Sequence, residues 1–242
     1  LADADSQHRY SVAWLDLTRR GKGRGSVMGG DHARSVEAPA GLRDADLAGP
    51  TIRIPGATPA LVNRVTVNVF NQIWYAKAPR NVSRGVESMG SFIYPLDGLT
   101  AWNRLYGDSG FLQYQFVVPY GEESTLVAVA ETLVATPTPV SLAVLKRMGD
   151  SVGGYLSFPM PGWTLAVDMP LGDPRLGAVL DRCDERVADA GGRVYLAKDS
   201  RLRRDIAHEM YPDLAKWREV QAKLDPARRL RSNLSERLEL IA

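Results

Sequence analysis

Cysteine is nearly absent from this 242-residue chain: Cys183 stands alone, which excludes an internal disulfide and any cysteine-rich metal site. Histidine is almost as scarce. His8, His32 and His208 lie far apart, with no H-E-x-x-H pattern and no carboxylate at ligand spacing, so no metal is expected. No stretch approaches the ~20 apolar residues of a membrane-spanning helix. The most apolar region, Leu126 to Leu145, is broken by Glu131, Pro137 and Pro139. Neither charge dominates: the net charge is +2 with no dense basic stripe, so nucleic acid is not an expected partner. No signal-peptide pattern and no initiator methionine open the chain, and its start, LADADSQHRYSVAWLDL, reads as a cut through a longer protein.

What is present is the composition of an ordinary globular protein, 45% hydrophobic and 24% charged, long enough for one large domain or two unequal ones. Tyr10, Val12 and Trp14 alternate with Ser11, Ala13 and Leu15 as in a strand. The glycine-rich, basic RRGKGRGSVMGG that follows lacks G-x-G-x-x-G spacing and any helix pattern behind it, so it reads as a solvated loop rather than a phosphate cradle. Thr58-Pro59 resembles a helix start, with Leu61, Val65, Val69 and Ile73 on one face. From Val86 to Pro119 the chain is strand-like and aromatic.

The middle third has the clearest order. A strand at Phe111 to Val118 precedes a helix with the stripe Leu126, Val129, Leu133 and Val134. Strands at Val140 to Lys146 and Trp163 to Met169 follow. Asp173-Pro174 then caps a helix facing Leu176, Val179, Leu180, Cys183 and Val187 inward, which makes Cys183 a buried, inert thiol. Gly191-Gly192 ends that helix and Arg193 to Ala197 forms a fourth strand. The predicted class is α+β: an antiparallel sheet with helices on one face, a ferredoxin-like β-α-β-β-α-β core, followed by a charged helical segment from Asp199 to Ala242.

Alternation across the strands gives the sheet two unlike faces. Leu112, Tyr114, Phe116 and Val118, with Leu165, Val167 and Met169, suit the helix side. Gln113, Gln115, Thr164, Ala166 and Asp168 point the other way. Paired glutamines suit sugar hydroxyls, and they equally suit a solvent-facing sheet surface; the residues alone leave both readings open.

Several strings together are more specific than any one of them: YSVAWLDL, YPLDGLTAWNRLYG, GFLQYQFVVP, LKRMG, LSFPMPGWTLAVD, GGRVYLAKDSR and MYPDLAKW. From about Tyr10 to the end, in register, they resemble the oxidase subunits of decaprenylphosphoryl-β-D-ribose 2-epimerase, within the vanillyl-alcohol-oxidase flavoprotein superfamily. The resemblance implies a substrate-binding domain over residues 1–191 and, over 192–242, a segment returning to an FAD-binding lobe whose main part is absent. It implies that Gln113, Gln115 and Lys146 line the substrate pocket, that Thr164 and Ala166 stand at two further pocket positions, and that Tyr195, Ala197 and Lys198 meet the flavin. Three positions depart from the family pattern: Thr164 replaces an asparagine, Ala166 a cysteine and Ile93 a tyrosine. Thiol-directed inhibitors of the family should therefore form no bond here.

The resemblance further implies non-covalent FAD, a lipid-linked sugar phosphate as substrate, a reductase subunit as partner, association with a membrane surface and a place in the cell envelope. Oxidation of a secondary alcohol by flavin places negative charge on the reduced ring, which a fixed cation stabilises. Lys198 is the expected catalytic residue for this role, and the general base is either Lys198 itself or a group in the absent half. Lys146 is expected to meet the substrate phosphate. Trp74, Tyr75, Trp102 and Tyr106 either cover a lipid tail or pack in the core. Two other readings remain: an alditol or aldonolactone oxidase of the same superfamily, and, for the chain alone, a non-catalytic sugar-phosphate-binding module.

Overall fold

The computed structural model describes residues 1–18, 23–34, 36–37, 52–56, 60–93, 98–150 and 153–241. In chain order the elements are α1 (Ala2–Gln7), β1 (Tyr10–Asp16), β2 (Arg24–Gly30), β3 (Ile52–Arg53), α2 (Arg64–Lys77), α3 (Met89–Ile93), β4 (Leu99–Thr100), β5 (Phe111–Pro119), α4 (Glu123–Ala135), β6 (Leu142–Met148), β7 (Gly162–Pro170), α5 (Leu176–Asp189), β8 (Arg193–Val194), α6 (Arg204–Met210), α7 (Leu214–Leu224) and α8 (Asn233–Arg237). Short 3₁₀ turns sit at Trp102–Tyr106 and Leu196–Lys198.

Six strands form one sheet in the order β2-β1-β6-β7-β5-β8, with every pairing antiparallel. Its β6-β7-β5-β8 part, with α4 and α5 as the intervening helices, is the β-α-β-β-α-β arrangement expected from the sequence, extended at the β6 edge by β1 and β2. The fold class is α+β.

Aromatic and β-branched residues at alternate positions build the covered face. Phe116 and Val118 of β5 and Leu165, Val167 and Met169 of β7 pack against Val129 and Leu133 of α4 and Leu180, Cys183 and Val187 of α5, all fully buried. Burial pushes the Cys183 thiol up to about 11, far from a reactive thiolate at neutral pH. The same core continues into Leu202, Ile206, Ala207, Met210, Tyr211, Leu214, Leu238 and Leu240 of the C-terminal segment. Tyr211 Oη donates to the Val194 carbonyl oxygen at 2.7 Å, and the Val194 N–H donates to Met210 Sδ at 3.3 Å. The outer edge of β8 is therefore closed by side chains rather than left open.

Four local expectations are corrected. Residues 24–30 are not a loop: β2 pairs with β1 from Asp16↔Arg24 to Tyr10↔Gly30. Its glycines serve close approach, since a Cβ on Gly25 would lie 2.2 Å from the Trp14 carbonyl oxygen. Thr58-Pro59 lies outside the described residues. Helix α2 begins at Arg64, capped by Asn63, whose side chain accepts from the Val65 and Thr66 N–H groups while Thr66 reciprocates. Asp173 braces Arg175 instead of capping α5 with its own side chain bonds to the helix: its Oδ1 accepts from the Arg175 N–H at 3.0 Å and from Arg175 Nε at 3.0 Å. The fourth strand ends at Val194, after which the chain turns into the 3₁₀ turn that carries Lys198. Pairing to β5 starts only because Gly192 sits where a Cβ would lie 2.3 Å from the Val117 carbonyl oxygen.

Leu180 lies at the centre of this core, fully buried. Leu180→Ala should lower unfolding stability by about 2–5 kcal/mol, read as a drop in denaturant midpoint at unchanged slope.

Candidate functional site

Strand pairing alone brings the polar side chains together, because residues directly opposite on antiparallel strands share a face. Across β5 and β7, Gln113 faces Asp168, Gln115 faces Ala166 and Val117 faces Thr164. Across β7 and β6, Thr164 faces Lys146, Ala166 faces Val144 and Asp168 faces Leu142. The side of the sheet away from α4 and α5 thus carries two amides, a hydroxyl, a carboxyl and a lysine around the small Ala166.

These groups are braced from within. Gln115 Nε2 donates to Thr164 Oγ1 at 3.0 Å, and both residues are buried. Thr164 is 1% exposed, so its hydroxyl orients Gln115 rather than facing outward. The carbonyl oxygen of Asp168 accepts from Ser141 Oγ at 2.9 Å, and Ser141 Oγ shares a hydrogen bond with Tyr106 Oη at 2.8 Å. Tyr106 in turn stacks on Phe111, with Trp102 tilted against the same ring. For Trp102 and Tyr106 packing is therefore the observed role; Trp74 and Tyr75 are exposed instead.

Lys198 enters from the β8 edge of the sheet. The Tyr195 N–H donates to the Gln115 carbonyl oxygen at 2.8 Å, prolonging the β8 pairing by one residue, and the Lys198 N–H closes the turn on the Tyr195 carbonyl at 3.0 Å. The Tyr195 ring stacks on Phe158, with centroids 4.6 Å apart, and Ala197 is exposed on the turn. Just beyond, Asp199 Oδ1 accepts from the Arg201 and Leu202 N–H groups at 2.9 and 2.7 Å, and its Oδ2 pairs with Arg237. Arg201 Nη1 donates to Asp184 Oδ2 of α5 at 2.9 Å. Burial pushes the Asp184 carboxyl up to about 7 against the pull of Arg201. The A-K-D-S-R string is thus a clamp: Asp199 and Arg201 pin the turn, and Lys198 is what the turn presents.

The electrostatics tie the groups into one constellation. Burial lowers the proton affinity of the Lys198 amine, Asp168 raises it and Lys146 lowers it again. Burial raises the Asp168 carboxyl, while the Gln113 amide and the Lys198 charge pull it down. Lys198 forms no ion pair among the described residues. A half-buried, unpaired ammonium beside glutamine amides is suited to an oxygen-rich ligand on which negative charge develops.

Gln113, Gln115, Lys146, Thr164, Ala166 and Lys198 therefore come together on one face, with Tyr195 and Ala197 at its rim. Asp168 was placed on this face by alternation but not singled out. At 4% exposure, facing Gln113 and electrostatically coupled to Lys198, it is the group that sequence reasoning missed. The signal was a carboxylate inside an otherwise apolar strand, in the string LAVDMP.

The chain is 35% identical to an uncharacterized protein in the mprA 5′ region of Streptomyces coelicolor, over 99% of this chain and 68% of that protein. It is 32% identical to decaprenylphosphoryl-β-D-ribose oxidase of Mycolicibacterium smegmatis (strain ATCC 700084 / mc(2)155), over 98% of this chain and 53% of that protein. The chain belongs to one family with the Streptomyces coelicolor protein, and its likeness to decaprenylphosphoryl-β-D-ribose oxidase is that expected of a C-terminal half of that enzyme. It spans about half the length of that oxidase. No protein-family model matches it.

Because Asp168 raises the proton affinity of Lys198, Asp168→Asn should lower the Lys198 pKa further, so that the amine deprotonates at lower pH than in the parent chain. An NMR titration of the lysine side-chain resonances reads this directly, and an upward shift would contradict the coupling.

Proposed function

We propose that this chain supplies the substrate-facing part of an FAD-dependent oxidoreductase that oxidises the 2-hydroxyl of a polyprenyl-phosphoryl pentose to a ketone. The observation that carries this reading is the convergence of Gln113, Gln115, Lys146, Asp168 and Lys198 on one face of the sheet in a chain similar to the C-terminal half of decaprenylphosphoryl-β-D-ribose oxidase. The residues present fit one end of a flavin: Lys198 is a half-buried cation without an ion-pair partner among the described residues, held on a clamped turn beside the Tyr195 ring. Residues 192–242 would complete the flavin lobe, and residues 1–191 would form the substrate domain. FAD, when bound, supplies the hydride acceptor.

The chain's own residues bind and orient. Gln113 and Gln115 offer amide donors and acceptors to the sugar hydroxyls, Gln115 with its rotamer fixed by Thr164. Lys146, exposed at the end of the same row, meets the phosphate as a point charge. Lys198 stabilises the negative charge that develops once the hydroxyl proton and the carbon-bound hydride have left. Asp168 holds Lys198 toward its protonated state, which that role requires. Ala166 leaves the centre of the face open and carries no thiol for covalent capture. A reductase subunit returning the keto sugar to the epimeric alcohol is the partner this reading implies, with the cell envelope as its place of work.

The test uses protein that carries this sequence together with a flavin-binding lobe. Lys198→Met should slow flavin bleaching by the lipid-linked ribose about 10²–10³-fold. Gln115→Leu should raise KM by about tenfold, the cost of one or two lost hydrogen bonds. Turnover of free alditols or aldonolactones with no bleaching by the lipid-linked sugar would replace this substrate by the second one in the superfamily.

A further inference from the structure

Helix α2 is amphipathic and faces the wrong way for a helix that serves the core. On a helical projection Val65, Val69, Phe70, Ile73 and Trp74 fall within one half of the helix, interrupted only by Thr66 and the terminal Lys77, and all five are exposed: Val65 by 71%, Phe70 by 52%, Ile73 by 53% and Trp74 by 43%. The sequence pattern puts Val65, Val69 and Ile73 on one face, and the structure turns that face outward. What holds the helix is its opposite edge, where Val67 is buried beside the polar Asn71. Asn71 is buried and its Nδ2 donates to Asp16 Oδ1 at 3.0 Å, while Arg24 Nε donates to Asp16 Oδ2 at 2.8 Å and the Arg24 guanidinium lies 4.3 Å from the Tyr75 ring centroid. Burial alone would raise the Asp16 carboxyl, but the bonds from Thr18, Asn71 and Arg24 hold it low, as a charged anchor. The helix is thus fixed through Asn71 with its apolar arc turned outward.

Charge at the two ends selects what such an arc meets. Arg64 precedes it, and Lys77, Arg80 and Arg84 follow it; Glu87 is the one acidic residue between Ala60 and Ile93. All four cations are exposed and form no ion pair among the described residues. Val82 and Val86 add further exposed apolar groups just after the helix. An apolar arc with an aromatic pair, Phe70 stacked on Trp74, flanked by unpaired cations, has the chemistry of a helix lying in a bilayer interface. No helix among the described residues is long and apolar enough to cross a membrane, which suits a helix lying in the plane.

We propose that α2 docks this chain on the surface of an anionic phospholipid bilayer, with Phe70, Ile73 and Trp74 inserted among the acyl chains and Lys77, Arg80 and Arg84 on the headgroups. This agrees with a lipid-linked substrate but stands on α2 alone, and its test uses neither sugar nor flavin.

The experiment is co-sedimentation of the full chain with vesicles of neutral phosphatidylcholine, with and without about a third phosphatidylglycerol, a composition chosen to give a strongly anionic surface. Expected are binding to the anionic vesicles that weakens as salt is raised, and a blue-shifted emission that is lost in Trp74→Phe. Phe70→Asp and Ile73→Asp should each reduce binding by about tenfold or more. The double reversal Lys77→Glu and Arg80→Glu should do likewise, whereas Lys223→Glu, an equal type of change on exposed α7, should not. Circular dichroism and the thermal midpoint establish that each variant is folded. Binding unchanged by the α2 variants, or no binding to anionic vesicles, overturns the proposal. So does sedimentation equilibrium showing a dimer that the same variants dissociate, because a second copy would then cover the arc.

Discussion

Antiparallel pairing of β5 with β7 sets Gln113 opposite Asp168 and Gln115 opposite Ala166, and the character of both sheet faces follows from that register. A slip of one residue would turn every side chain of one strand over. Phe116 and Val118 would then leave the core beneath α4 and α5, and the glutamines would be forced in among Val129, Leu133, Leu180 and Val187. The core therefore enforces the register and the polar face inherits it. Stability and site geometry are the same constraint seen from two sides of one sheet.

The cation of the site has a separate guarantee. Lys198 belongs to a turn whose neighbours are tied in two directions, Asp199 to Arg237 near the C-terminal end and Arg201 to Asp184 on α5. Breaking a buried pair by removing one partner is costly, because the other charge is left without compensation. The turn thus resists displacement, with Leu196 packed against the core as a further hold. The closing of the β8 edge by Tyr211 and Met210 serves the same end, since it fixes the strand from which the turn departs.

The β-α-β-β-α-β succession and the two-faced alternation were legible in the sequence, because β5, β7, α4 and α5 each repeat at the period of their own geometry over nine residues or more. The grouping of Gln113, Gln115, Thr164 and Ala166 followed from the same alternation. Three features were not legible. Strand β2 is glycine-rich, and glycine signals a turn unless the crowding partner, here Trp14 across the sheet, is known. Helix α2 has a clear apolar stripe, but a stripe says which residues share a face and nothing about which way that face looks. The decision was made by Asn71 and Asp16, two polar residues far apart in the chain. Asp168 was visible as a residue but not as a role, because its importance lies in its nearness to Lys198, and no local pattern encodes that.

Asp168, Gln113 and Lys198 lie on three different strands or strand ends, and the pieces between them include both core helices. Helices α4 and α5 close through contacts a few residues apart, whereas the polar face requires β5 to find β7 and then β8 across long loops of chain. No half-zipped sheet carries the full set of groups. A chain that has formed its helices but not its last strand pairing would lack part of the set, so any ligand that needs all of these groups would report that the whole topology has been completed.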